Sequence, residues 1–216
     1  MPIKSSGRII ATAVGLFGLT MTSVAHATPI TFSSITMEVR TTDNISVNGG
    51  DTAGSLLTRF NDGSEICTVN IEEFTAIGGK QNCGTAPHDD LATLYTVTYS
   101  LDAGTALFEL GADWGLGGII MGTDGGDIIR TDDIWWSYNW NNADVLDFSI
   151  TGSGVGSFQL LGFESCCSGA NSLRVSTDGG QTFSAVITTV PEPAALALLG
   201  LGLMGLTTAR RRRKQL

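Results

Sequence analysis

The densest chemistry in this chain lies in Asp132-Asp133-Ile134-Trp135-Trp136-Ser137-Tyr138-Asn139-Trp140. On a strand, alternate side chains share a face, so Trp136, Tyr138 and Trp140 align while Trp135 points to the other side. Rings aligned in this way form a platform on which sugars stack. The flanking Asp132 and Asp133 carboxylates can hold sugar hydroxyls or a calcium ion. The same rings also suit the core of a β-sandwich, where aromatics bury large areas. At roughly 3.3 Å per residue, Trp136 and Trp140 stand about 13 Å apart along such a strand. A platform that long demands an extended oligosaccharide with Tyr138 stacked between the indoles. Core packing makes no such demand, which assigns at least one of the pair to the core.

Reaction chemistry finds less support. His88-Asp89-Asp90 puts acids beside a histidine, but neighbours in sequence rarely form a triad, and no nucleophile elbow accompanies them. Asp113, Asp124, Asp127, Asp132 and Asp133 could supply a carboxylate pair for glycoside hydrolysis. Twenty acids over residues 28–189 make such a pair a cheap coincidence. A zinc site is disfavoured, because adjacent cysteines cannot easily share one tetrahedral ion and His26 and His88 are the chain's two histidines. The expectation is a protein that is not an enzyme, needs no cofactor, and admits calcium as its one candidate ion.

The elements around these residues read as β throughout. Short alternating or β-branched runs recur between Gly, Asn and Asp punctuation, which predicts strands at 30–39, 55–60, 66–74, 94–101, 106–110, 128–129, 134–140, 145–150, 157–163, 173–176 and 183–187. No stretch over residues 28–189 sustains a helical period beyond about two turns. Many short strands without intervening helices imply antiparallel sheets in an all-β sandwich or jelly roll. Gly49-Gly50-Asp51 and Gly78-Gly79 read as turns, and the Gly-rich stretch 111–127 as loop. Ser176-Thr177-Asp178-Gly179-Gly180-Gln181-Thr182-Phe183 resembles the Asp-box hairpin of sialidases and other propellers. Propellers repeat that motif, and a single copy here reads as a turn device in which Asp178 bonds nearby amides and Phe183 caps the hairpin.

Both ends of the chain are addresses. Lys4 and Arg8 precede an apolar run over 9–19, and Ala25-His26-Ala27 supplies a small-x-small cleavage site. Residues 1–27 are therefore a signal peptide, with Thr28 starting the mature chain. Residues 190–216 begin with Val190-Pro191-Glu192-Pro193, continue through an uncharged apolar run of 16 residues, and end in Arg210-Arg211-Arg212-Arg213-Lys214. The run is slightly short of the roughly 17–25 residues that span a bilayer. Five cations after it should stay cytoplasmic and leave the upstream chain outside. Pro191, Glu192 and Pro193 followed by a short apolar helix and an arginine cluster resemble the PEP-CTERM sorting signal of Gram-negative bacteria. That resemblance implies export, recognition by the membrane protease-transpeptidase exosortase, removal of the helix, and transfer to the cell surface or extracellular polymer. Cys166-Cys167-Ser168-Gly169 adds a short resemblance to PEP-CTERM proteins marked by a Cys-Cys-x-Gly element.

Export makes disulfides the default for Cys67, Cys83, Cys166 and Cys167, with three pairings open. A Cys67–Cys83 bond encloses 15 residues, a closure worth about 3 kcal/mol. It leaves a vicinal pair whose peptide is strained, whereas the two crossed pairings avoid that strain. The segment between the two addresses keeps five cations against twenty carboxylates, a net charge of −15. So acidic a body repels nucleic acid. The sequence thus describes an exported surface or biofilm-matrix protein whose partners are exosortase and the secretion machinery, and extracellular polysaccharide. The alternative is a carbohydrate-binding module, calcium-assisted, using Trp136, Tyr138 and Trp140. Contact with the membrane runs through the C-terminal helix before processing.

Overall fold

The computed structural model describes residues 29–84, 89–167 and 169–188. The expected signal peptide, His88 and the C-terminal segment 190–216 lie outside them. The elements in order are β1 (Ile30–Thr41), α1 (Ala53–Asp62), β2 (Glu65–Asn70), α2 (Gly79–Cys83), β3 (Leu91–Gly111), β4 (Asp113–Trp114), β5 (Gly118–Met121), β6 (Ile128–Arg130), β7 (Ile134–Trp135), β8 (Val145–Glu164), β9 (Ser172–Ser176) and β10 (Ser184–Ala185). These strands pair antiparallel throughout.

Two long strands, β3 with 21 residues and β8 with 20, pair along their whole length. The other side of β3 takes β1 along its first half and β9 along its second. The register breaks between Leu101 and Gly104, and Gly152 and Gly154 on β8 adopt φ of +144° and +99°. Ten residues of straight strand would separate Phe148 from Phe158 by about 33 Å. Their ring centroids are 5.3 Å apart, so the strand pair folds back on itself. Phe108 closes the two halves, stacked on Phe148 at 4.9 Å and edge-on to Phe158 at 5.1 Å. Around these rings the buried faces of β1, β3, β8 and β9 make one continuous core.

A smaller core lies on the outer face of β5 and the C-terminal half of β8, under α1. Residues 55–60 are therefore helix and not the expected strand. Thr52 and Ser55 form a reciprocal capping box, which satisfies two amides at the helix start. Leu56 and Phe60, one helical turn apart, are the positions it buries. The period-2 reading of so short a run had hidden that spacing.

Four further expectations change. The runs at 94–101 and 106–110 merge into β3, and those at 145–150 and 157–163 merge into β8, with the register break at Leu101/Gly104 and the positive φ of Gly152 and Gly154 bending the chain where turns were expected. The Gly-rich stretch contains β4 and β5, and Gly118 of β5 with its β8 partner Gly162 seats a ring: a Cβ on Gly118 or Gly162 would lie 2.4 or 2.1 Å from Trp114. The expected strand 134–140 stops at Trp135, since Ser137 and Tyr138 both take φ of +54° and turn the chain. Gly78 caps α2 and Gly79 opens it, so that pair starts a helix. Disulfides join Cys67 to Cys83 and Cys166 to Cys167, so the pairing is the vicinal one and neither crossed arrangement. No cysteine among the described residues is free. Among those residues, no helix is long and apolar enough to cross a membrane.

Candidate functional site

The turn after β7 does more than end a strand. It gathers the rings that an extended strand would have kept apart. Trp136 folds over the outer face of β3 at Gly111, where a Cβ would sit 2.3 Å from the indole. Its backbone N–H donates to the Ala112 carbonyl at 3.1 Å, and its Nε1–H donates to the Ala170 carbonyl at 3.0 Å. Trp136 is buried, 4% exposed. Tyr138 is 64% exposed, with its ring centroid 5.3 Å from that of Trp136. Trp140 is half-buried, 4.7 Å from Trp136. The expected 13 Å row is thus a compact cluster, with Trp136 as its base and the other two rings at the surface.

Two residues outside the aromatic run complete the site. Arg174 projects from the outer face of β9, its guanidinium 4.3 Å from the Trp140 centroid and 4.6 Å from that of Phe183. It also pairs with Glu109, its register partner on β3. Phe183 is delivered by the turn 176–183. There Asp178 Oδ1 accepts from the backbone N–H groups of Gln181 and Thr182, and Oδ2 from the Thr182 hydroxyl. Those bonds, Thr182 foremost, hold the Asp178 carboxyl well below the usual carboxylate range. Gly179 and Gly180 supply φ of +77° and +87°. A cavity of about 410 Å³ results, walled by Trp136, Tyr138, Trp140, Arg174 and Phe183. Ring faces, one guanidinium and nearby hydroxyls can stack on and hydrogen-bond a sugar. Arg174 carried one sequence signal: it is an outward cation between the inward apolar residues Leu173 and Val175 on a strand.

The acids divide into two groups. Asp132 is exposed and gripped by Arg130, at 3.0 Å to Nε and 2.8 Å to Nη2, which lowers its pKa. Asp124 accepts from Ser149 and Thr151, which ties β8 to the loop after β5. In contrast, burial and then the nearby Asp113 charge push Glu164 up to about 9, so it stands protonated at neutral pH. Asp113 is raised by burial and by Asp133. Glu164 is 7% exposed, and among the described residues its Oε1 has no hydrogen-bond partner. Its elevated pKa follows from burial and the neighbouring Asp113 charge. Calcium takes six to eight oxygen ligands. Among the described residues no three His, Cys, Asp or Glu side chains are grouped to hold an ion. Asp132 of the expected Asp132–Asp133 pair is engaged by Arg130.

The C-terminal segment matches the family description PEP-CTERM protein-sorting motif over residues 189–214. The chain carries a PEP-CTERM sorting motif. That motif indicates export and C-terminal sorting. A search of curated protein sequences finds no match. Among solved structures, the described body is similar to the PA14 domain of the antifreeze protein MpAFP, at TM-score 0.50 and 16% identity, covering 74% of this chain and 89% of that one. It is also similar to a PA14 sugar-binding domain from an RTX adhesin (TM-score 0.43, 13% identity, 73% and 99% covered). A third is the epithelial adhesin 6 A domain from Candida glabrata, solved with Galβ1-3GlcNAc (TM-score 0.46, 11% identity, 76% and 90% covered). At these identities the first likeness is one of fold, and the other two superpose too loosely to add to it. The PEP-CTERM chain thus joins a sorting tail to a PA14-like antiparallel β body.

Proposed function

We propose that this is an exported, non-enzymatic surface or matrix protein whose body binds extracellular glycan through the Trp140–Tyr138–Arg174–Phe183 cavity. One observation carries the reading. Arg174 is clamped between two ring faces beside an exposed tyrosine, in a cavity of a size that takes a sugar. A cluster serving the core alone would bury all three rings of the turn, and this one buries Trp136 and leaves Tyr138 in solvent. The sorting motif supports the same reading by sending the body where extracellular polymer is.

The test is binding of the full chain to the producing cell's own extracellular polysaccharide, for the parent, Trp140→Ala and Tyr138→Ala. Folded variants that lose retention support the proposal, and folded variants that bind as well as the parent refute it. Repeating the parent measurement with a calcium chelator decides whether Asp132 and Asp133 contribute a cation.

A further inference from the structure

A second cavity, of about 460 Å³, adjoins the first and shares Phe183 as a wall. Leu107, Glu109, Asp147, Ser149 and Gly180 line it with Phe183. The ladder explains why these residues meet. Arg174 on β9 stands opposite Glu109 on β3, and Glu109 stands opposite Asp147 on β8. With neighbouring strands about 4.8 Å apart, this makes a row of cation, anion and anion across the outer face. Like charges directly opposite on adjacent strands are destabilising. Arg174 satisfies Glu109 and has its remaining faces covered by Trp140 and Phe183. Asp147 is exposed and forms no ion pair among the described residues. The second cavity therefore carries an uncompensated negative charge. Among the described residues Arg174 is the one cation lining either cavity, and it is already occupied.

We propose that the two cavities are adjoining subsites of one cleft, and that its ligand is an oligosaccharide containing amino sugars. One sugar ring stacks against Trp140 and Tyr138, Phe183 separates it from the next, and the ammonium of that next sugar meets Asp147 and Glu109. An acidic chain would set its carboxylates against the same two groups with no free cation to receive them. This inference rests on the glycan-binding reading and names the ligand class.

The experiment titrates the full chain with dimers and tetramers of glucosamine, of N-acetylglucosamine and of a uronic acid, at a pH where the amine is protonated. The glucosamine tetramer is expected to bind tighter than its acetylated counterpart by about two- to fivefold, the range for one exposed ion pair. Salt should shrink that advantage. Asp147→Asn, a surface change, should remove the preference for the amine over the acetylated tetramer. Phe183→Ala should reduce tetramer affinity toward that of the dimer. Equal affinity of the two tetramers, a preference that survives in Asp147→Asn, or stronger binding of the uronic acid overturns the amino-sugar assignment while Trp140-dependent binding stands. Failure of every oligomer to bind, with retention on the cell's own polysaccharide intact, overturns the amino-sugar assignment alone, and loss of that retention as well removes the reading beneath it.

Discussion

Truncating Trp136 and Trp140 separately should give two different outcomes, although the two indoles are neighbours. Trp136 is buried to 4% exposure and donates to the Ala170 carbonyl. An aromatic side chain buries about 150–250 Å², which at about 25 cal/mol per Å² is roughly 4–6 kcal/mol of transfer energy. Measured Trp→Ala changes in cores cost about 3–5 kcal/mol. The truncation also strands the Ala170 carbonyl. We therefore expect Trp136→Ala to lose about 4 kcal/mol, which for a body of this size lowers the melting temperature by about 8–16 °C. Trp140 is half-buried against the Trp136 ring and the Arg174 guanidinium, contacts worth about 0.5–1.5 and about 0.5–1 kcal/mol. Trp140→Ala should melt within a few degrees of the parent and lose glycan retention. Thermal melts with parallel urea titrations measure both variants. If Trp136→Ala melts with the parent, or Trp140→Ala costs as much as Trp136→Ala, the division of the cluster into base and surface is wrong.

Three other outcomes follow from the structure. Glu164 keeps in the fold a proton that an unfolded chain releases, so its neutral form supports stability fully below about pH 4.3 and this is lost progressively up to pH 9. Glu164→Gln cannot ionise, and its advantage over the parent should grow by roughly 1.4 kcal/mol per pH unit between about pH 5 and pH 8; an advantage that stays constant would contradict a buried neutral acid. The exported protein, denatured without reductant, should take up no thiol reagent at Cys67, Cys83, Cys166 or Cys167, and stoichiometric labelling would contradict the pairing. Intact-mass analysis of surface-extracted protein should show a chain ending near Pro191-Glu192-Pro193; recovery of residues 210–216 would mean that the tail persists as an anchor.

What the sequence determined by itself was whatever depends on local order. The sorting motif is a linear address, so Pro191, Glu192, Pro193 and the arginines are legible without a fold. The antiparallel β character follows from apolar alternation, and the Asp178 turn from hydrogen bonds that close within a few residues. The helix 53–62 was also encoded locally, in the Thr52–Ser55 box and the Leu56–Phe60 spacing, but a six-residue window favours the wrong period. Tertiary structure alone decided the site. Two residues with positive φ bring Trp136 and Trp140 from an expected 13 Å to 4.7 Å, and Gly111 on another strand makes the room that buries one of them. Arg174, Glu109, Asp147 and Phe183 meet through strand register over as many as 74 positions of chain. No spacing along the sequence reports such a meeting, because it arises from the folding back of β3 and β8, whose backbone hydrogen bonds constrain register while their side chains alternate.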